Sequence, residues 1–307
     1  MLWDRWLFDG IIFFFLIAGG AGILESFDRA KKSERYGWHV IVFILGIAWL
    51  VVFYGSFVEP RIILTHEYDV DITTTSATGE EIKVVVLGDF HLGPYNDEYL
   101  VENVVRKVNK IKPDLILLTG DYITNKDSAV LGFAALTKLK PPYGIFAVTG
   151  NHDYLGEDVE AVVNSLQGYG VYFLRNSGAT IKIDGKELYL AGVDDYWFGE
   201  MDATQALINK LPGQPSIFLA HNPDVVKYVP LPLRFGIMVS GHTHGGQIRL
   251  PFIGSFVQPP TDLPKTYSKG LQEYEGRQMF ITSGLGMVGP RARLFNPPEI
   301  AVLNVKF

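Results

Sequence analysis

The 307-residue chain contains no cysteine. Disulfides, thiolate metal sites and cysteine nucleophiles are therefore excluded, and any bound metal must take nitrogen and oxygen ligands. A basic surplus is also missing: 27 Lys and Arg stand against 33 Asp and Glu, a formal net charge of -6. A nucleic-acid reader needs clustered Lys and Arg to displace counterions from phosphates, so no nucleic-acid partner is expected. Long uncharged runs are scarce as well, except in the first 60 residues. With 48% hydrophobic residues the chain is not a disordered one, and its length suits two ordinary domains or one large one.

The first 60 residues have their own texture. Trp38 to Val58 is a stretch of 21 residues without formal charge when His39 is neutral. As a helix it spans about 31 Å, close to the hydrocarbon thickness of a bilayer. Trp38 and Tyr54 stand near its ends, where amphipathic rings prefer to sit. An earlier run, Leu7 to Leu24, is interrupted by Asp9, and its Ala18-Gly19-Gly20-Ala21-Gly22 tract would let two helices approach closely. The alternatives are a buried core helix for the second run and a cleaved signal peptide for the first. A signal peptide wants a basic start and a single hydrophobic stretch, whereas Met1 to Trp6 carries one Asp and one Arg and a second long run follows. The reading is a transmembrane helical hairpin in residues 1-60, with spans at about 7-24 and 38-58, and a soluble domain over 61-307. Arg29, Lys31, Lys32 and Arg35 lie between the runs, against Arg5 before them and Arg61 after. The positive-inside rule then puts the connecting loop in the cytoplasm and the soluble domain on the other, non-cytoplasmic side of the cell membrane.

After Pro60, short apolar runs alternate with segments of helical period. Ile82 to Leu87, Leu115 to Thr119, Ile145 to Thr149 and Ile217 to Ala220 read as strands. Leu100, Val104, Val105, Val108 and Ile111 recur at helical spacing, and Val159 to Leu166 and Ala203 to Leu211 read as helices. Thr180 to Ile183 and Glu187 to Ala191 flank Asp184-Gly185, a hairpin signal. This is an α/β domain.

Open α/β sheets place ligands at the carboxyl ends of their strands. The first strand here ends in Gly88-Asp89-Phe90-His91, the second in Gly120-Asp121 and the third in Gly150-Asn151-His152-Asp153; His221-Asn222 and Gly241-His242-Thr243-His244-Gly245-Gly246 come later. Five of the seven histidines fall in these places. If the chain is still extended, Asp89 and His91 share a face and grip one ion, and His242-Thr243-His244 repeats that geometry. Flanking glycines allow sharp turns and close backbone approach. Each fragment alone has a bland reading, an Asp after a strand being more often a helix cap or turn residue and Asn-His-Asp a loop. Five in this order, each glycine-flanked at the end of an apolar run, point to a metal pair. Two divalent ions bring +4, Asp89 and Asp121 remove 2, and the remaining +2 lowers the pKa of a shared water, leaving hydroxide as nucleophile, and stabilises a phosphoryl transition state.

Together, Asp89-x-His91, Gly120-Asp121, Gly150-Asn151-His152-Asp153, His221 and Gly241-His242-x-His244 resemble the five blocks of the calcineurin-like metallophosphatases. The likeness runs from about Arg61 to the C-terminus. It implies a four-layer α/β/β/α sandwich and a two-metal centre in which Asp121 bridges, Asp89, His91 and His244 complete one ion's ligands, and Asn151, His221 and His242 complete the other's. His152 would then be no ligand, but would protonate the leaving oxygen or bind a phosphoryl oxygen as an imidazolium held by a carboxylate. Asp153 is the nearest such carboxylate; its alternative role is to stabilise the loop. Nitrogen and oxygen ligands suit two ions of Mn, Fe or Zn.

The serine/threonine phosphatases of this superfamily carry Gly-Asp-x-x-Asp-Arg-Gly, and Gly120 to Lys126 lacks the second Asp and the Arg. Gly241 to Pro251, Leu190 to Asp195 and Ser283 to Gly286 are instead similar to a bacterial branch of membrane-anchored or exported phosphodiesterases, some of whose relatives handle envelope or lipid substrates, including UDP-2,3-diacylglucosamine hydrolases. The expected function is metal-dependent hydrolysis of a phosphomonoester or phosphodiester, on an envelope or lipid-linked metabolite. An anchored phosphodiesterase of soluble nucleotides and a non-catalytic metal-binding sensor or scaffold are the competing readings. Leu250 to Val257 is either an apolar lip for an acyl chain or the bilayer, or ordinary packing. Arg249, Arg291 and Arg293 either fork onto a substrate phosphate or are structural, with Arg249 ranked first as a substrate contact.

Overall fold

The computed structural model describes residues 2-33, 36-73, 80-156 and 158-307. Its core is built on period-two alternation. In β2 (Glu81-Leu87) and β3 (Leu115-Leu118), Val84, Val86, Leu115 and Leu117 enter one core, while Val85, Leu87, Ile116 and Leu118 enter another. Strands apolar on both faces must be covered on both, which forces a layered architecture.

Two six-stranded sheets satisfy that demand. The first has the order β1 (Leu64-Asp71), β14 (Glu299-Lys306), β2, β3, β4 (Ile145-Ala147), β5 (Val171-Phe173). The second runs β12 (Gly270-Tyr274), β13 (Arg277-Ile281), β9 (Ile237-Ser240), β8 (Ser216-Leu219), β7 (Lys186-Gly192), β6 (Ser177-Ile183). Ile217, Leu219, Ile237 and Val239 meet the inner face of the first sheet in a shared central core. Helices α3 (Glu98-Ile111) and α4 (Val159-Gly168) cover the first sheet, and α5 (Ala203-Leu207) packs on the second. The expected four-layer α/β/β/α sandwich is present, and β6 and β7 form the hairpin expected around Asp184-Gly185. Helix α5 is shorter than the reading 203-211, because Pro212 disfavours helical backbone at Leu211 and Gly213 turns with φ +74°.

The N-terminal runs fold into α1 (Leu2-Lys32) and α2 (Tyr36-Phe53), packed as a hairpin. Both are long and apolar enough to cross a membrane. Gly19 and Gly20 lie against Trp49, whose indole Nε1-H donates to the Leu16 carbonyl at 2.8 Å. Arg35, counted above in the connecting loop, lies outside the described residues.

No flexible linker separates hairpin from sandwich. A π turn (Tyr54-Val58) and a 3₁₀ turn (Glu59-Arg61) bring α2 to within three residues of β1. Buried Glu59 accepts from the backbone N-H groups of Phe295 and Asn296, and Arg293 N donates to the Gly55 carbonyl at 2.8 Å. Asp9, the acid that interrupts the first run, is buried: Tyr95 Oη donates to it at 3.1 Å and the Arg291 Nε lies 3.5 Å away. An acid in an apolar helix requires such partners.

Candidate metal centre

Every ligand-bearing loop leaves the carboxyl end of a central strand: Asp89 and His91 follow β2, Asp121 follows β3, Asn151 and His152 follow β4, His221 follows β8, and His242 and His244 follow β9. Their backbone differs from the extended geometry expected. Asp89, His91, Asp121, His242 and His244 all have positive φ, between 47° and 70°. Such a conformation is strained for residues with a Cβ and persists only where surrounding structure enforces it. Here two left-handed residues flanking Phe90, and two flanking Thr243, aim side chains inward where an extended strand would have carried the chain past the site. Glycine is required by crowding at Gly150, where a Cβ would lie 2.3 Å from Asp121 Oδ1, and at Gly284, where it would lie 2.7 Å from Asp89 Oδ2.

The side chains converge in two clusters that share Asp121. One contains Asp89, His91, Asp121 and His244, and the other Asp121, His221 and His242. Asp121 Oδ2 lies 3.3 Å from His91 Nε2 and 3.2 Å from His221 Nε2, between the clusters. His91 Nε2 faces His244 Nε2 at 3.0 Å, and His221 Nε2 lies 3.1 Å from both His242 Nδ1 and Asn151 Oδ1. All seven residues are buried.

Tautomers follow from the outer nitrogens. His221 Nδ1 faces the Thr119 carbonyl at 2.7 Å and His242 Nε2 the Pro260 carbonyl at 2.7 Å; each carbonyl only accepts, so each of these nitrogens carries a proton. The opposite nitrogens are left to present lone pairs inward. Acceptors crowded at 3 Å, with Asp89 Oδ2 buried and unpartnered, repel one another unless positive charge lies among them. The titration tendencies of the protein alone agree. Burial, with its neighbouring imidazoles, drives His91 and His244 well below the ordinary range and His242 down to about 3. Burial lifts Asp89 to about 7, against the pull of His221. His221 is pulled down by burial, but Asp121, Asp89 and Asp195 outweigh this and raise it to about 10, so a proton supplies the missing positive charge. The donor set therefore fits divalent cations, all nitrogen and oxygen, with neutral imidazoles and two carboxylates.

His152 and Asp153 do not pair as expected. His152 Nδ1 donates to the Thr124 carbonyl at 2.9 Å, and its ring stands edge-on to His91 with centroids 4.6 Å apart. Asp153 is wholly buried and accepts from the backbone N-H groups of Gly150, Asp121, Tyr122 and Ile123. Its carboxylate thereby ties the Asp121 loop to the Asn151 loop, the role weighed above as its alternative. Arg249 donates to the Gly245 carbonyl at 2.7 Å and to Ser268 Oγ at 2.8 Å. Arg293 is fully buried and gives its donors to the carbonyls of Ser283, Gly284, Gly286 and Asn296, bracing the loop beneath Asp89.

Two contributors lay beyond the motif reading. Trp197 stands edge-on to His242 at 4.5 Å, in a turn held by Asp195, whose Oδ1 accepts from Trp197 N and Phe198 N. Asn296 Nδ2 donates to the His244 carbonyl at 2.7 Å. The available signal was the acidic pair Asp194-Asp195 after an apolar run; nothing local marks Asn296.

A family model for calcineurin-like phosphoesterases matches residues 82-246, which contain every residue of both clusters. The chain belongs to the calcineurin-like phosphoesterase family. Among its relatives, the metallophosphoesterase YkuE of Bacillus subtilis is 35% identical, over 82% of this chain and 89% of that one. The phosphodiesterase YaeI of Escherichia coli is 32% identical over 73% of this chain and 82% of its own. A Danio rerio transmembrane protein with a metallophosphoesterase domain is 30% identical, over 92% of this chain and 66% of its own length. This calcineurin-like phosphoesterase is thus a metal-dependent hydrolase of phosphoester bonds, carrying two apolar helices ahead of its catalytic fold.

Proposed function

We propose that the protein hydrolyses a phosphoester of an envelope or lipid-linked metabolite at a two-cation centre, from a domain (61-307) anchored by the hairpin (1-60). The observation that carries this reading is the pair of clusters overlapping at Asp121. Asp89, His91, Asp121 and His244 would hold one cation, and Asp121, Asn151, His221 and His242 the other, Mn, Fe and Zn all suiting these donors. When bound, such a pair lowers the pKa of water and neutralises charge on the phosphoryl group.

The protein's own groups do the rest. Thr119 and Pro260 carbonyls fix the His221 and His242 rings, so their lone pairs point inward without rotation. His152, its Nδ1 proton committed to Thr124, turns Nε2 toward substrate beside the first cluster; protonated, it donates to a phosphoryl or leaving oxygen. The name of the E. coli relative, a phosphodiesterase, favours a diester. The excess of Lys and Arg between the helices favours a non-cytoplasmic catalytic domain.

Full-length protein, stripped of metal and reloaded with Mn²⁺, is assayed on bis(p-nitrophenyl) phosphate, with a lipid-extract screen scored for released phosphate. Turnover is expected to require the metal, and His152→Ala to keep two ions per chain while losing about 10²- to 10³-fold in kcat. No turnover with any divalent ion overturns the reading, and loss of ions from His152→Ala overturns the role given to that residue.

A further inference from the structure

The loop that joins His244 to Pro260 has both ends at the metal centre, one through the His244 cluster and one through the Pro260 carbonyl that accepts from His242. Between them β10 (Arg249-Leu250) and β11 (Gly254-Ser255) form a small antiparallel hairpin. Its tip is Leu250-Pro251-Phe252-Ile253, and Phe256 and Val257 follow β11; Phe252, Ile253, Phe256 and Val257 are all exposed. Phe252 is wholly exposed and adopts a left-handed backbone, φ +66°. Phe295, also exposed, has φ +52°. Glycine or asparagine would relieve that strain, and a polar residue would relieve the exposure. The backbone strain is the same in any solvent, but the exposure of large aromatic rings at both positions is unfavourable in water, which points to an apolar surrounding for them.

The backbone says which surrounding. Ile248 bridges Leu294, Arg249 N donates to the Leu294 carbonyl at 2.8 Å, and Phe256 N donates to the Ile248 carbonyl. Arg293 in turn donates to Gly55, in the π turn that follows the second apolar helix, and a Cβ on Gly55 would touch Leu294. The exposed tip is therefore continuous, through one short strand pair, with the end of the hairpin that carries exposed Phe14, Phe53 and Tyr54. Asp9 and Glu59 lock that end to the sandwich, so tip and helices keep one relative position. At the foot of the loop an open depression of ≈ 570 Å³, lined in part by Trp197, Pro259 and Pro260, lies beside His242.

We propose that the 250-257 tip, with Phe295, inserts into the acyl-chain layer of the same bilayer the helices cross, holding the mouth of the metal centre at the membrane surface. The centre then acts on phosphoesters whose apolar portion stays in the membrane. This rests on the phosphoesterase reading for its substrate and on the anchored hairpin for its geometry.

The absence of native cysteine makes site-directed spin labelling direct. Full-length Phe252→Cys, Phe256→Cys and Leu231→Cys are labelled with a nitroxide in phosphatidylethanolamine/phosphatidylglycerol nanodiscs. Leu231 is an exposed apolar residue preceding β9, at the end of the sheet away from the ligands. Collision with oxygen, which concentrates in acyl chains, is compared with collision with an aqueous nickel chelate. At 252 and 256 oxygen is expected to dominate several-fold, and at 231 the chelate. Chelate-dominated collisions at 252 and 256 equal to those at 231 overturn the proposal. A second readout uses rates: the ratio of turnover on a bilayer-embedded fluorescent phosphodiester to that on bis(p-nitrophenyl) phosphate is expected to fall about tenfold in the Phe252→Ser, Phe256→Ser double variant. An unchanged ratio overturns the substrate claim. If the wild type hydrolyses neither ester, the phosphoesterase reading fails while the collision data still decide insertion.

Discussion

Loops of the first sheet bring both carboxylates and the amide to the centre, Asp89, Asp121 and Asn151, with His91; loops of the second bring imidazoles alone, His221, His242 and His244. The first half carries the negative charge that attracts cations, and its loops are cross-tied by the four amides on Asp153. The second half is uncharged when loaded, and its His221 and His242 rings are each steered by a single carbonyl, of Thr119 and Pro260. Charge and rigidity thus reside on one side, and orientation and access on the other. Losing a ligand from the two halves should therefore have unequal consequences.

Asp121→Ala is the severest test, since it removes the group common to both clusters. Both ions are expected to be lost and hydrolysis to fall on the order of 10³-fold or more, read by metal content and initial rates. Retention of two ions would break the comparison at its centre. His242→Ala takes one neutral donor from the second half and should leave about one ion per chain, with activity down roughly 10- to 100-fold. A loss as complete as in Asp121→Ala would mean that the halves are not distinct.

The ligands were legible because each is an Asp, Asn or His beside glycine at the end of an apolar run, a pattern that survives without knowledge of contacts. Their left-handed backbone was not, since Asp89-Phe90-His91 reads equally well as a strand continuing outward. Pairing across the chain was hidden too: Asp153 is adjacent to His152, yet its partners are amides from around Asp121, about 30 residues away. Strand β1 escaped notice because His66, Glu67, Asp69 and Asp71 blur its alternation, and its partner β14 comes from the opposite end of the chain. Asp9 was read as a flaw in a span; only the fold reveals Arg291 and Tyr95 beside it.

Smaller effects sharpen the contrast. Asp153→Asn presents donors to backbone N-H groups that need an acceptor, and is expected to lower stability by about 2-3 kcal/mol in denaturant titrations of metal-free protein. A change within error would show that the first half is not braced there. Glu299, on β14, accepts from Ser283 N after β13, from His66 and from Tyr68, joining the two sheets at the end that carries the ligands, where the neighbouring Gly284 meets Asp89. Burial pushes its pKa up, but the His66, Ser283 and Tyr68 hydrogen bonds prevail and hold it below the ordinary 4.5. A carboxyl with a depressed folded-state pKa stabilises fully above its unfolded value, and that stability fades as pH falls through the lower folded value. Glu299→Gln should therefore flatten the acid limb of the stability profile of metal-free protein below pH 4.5. An acid limb as steep as in the wild type would remove Glu299 from the account.

The joint at Glu59 sets how the enzyme meets its substrate. With only two residues between the last helical turn and β1, and with Asp9 gripping from the other helix, the domain is not a float on a line but a fixed tool at one altitude. It reaches nothing by swinging. For the membrane-resident phosphoesters proposed above as substrates, encounters would come from molecules drifting sideways within the plane of the lipid, so collision rates would depend on surface density and fluidity rather than on bulk concentration. A protease likewise meets no slack tether to cut, and shedding the domain would demand local unfolding first.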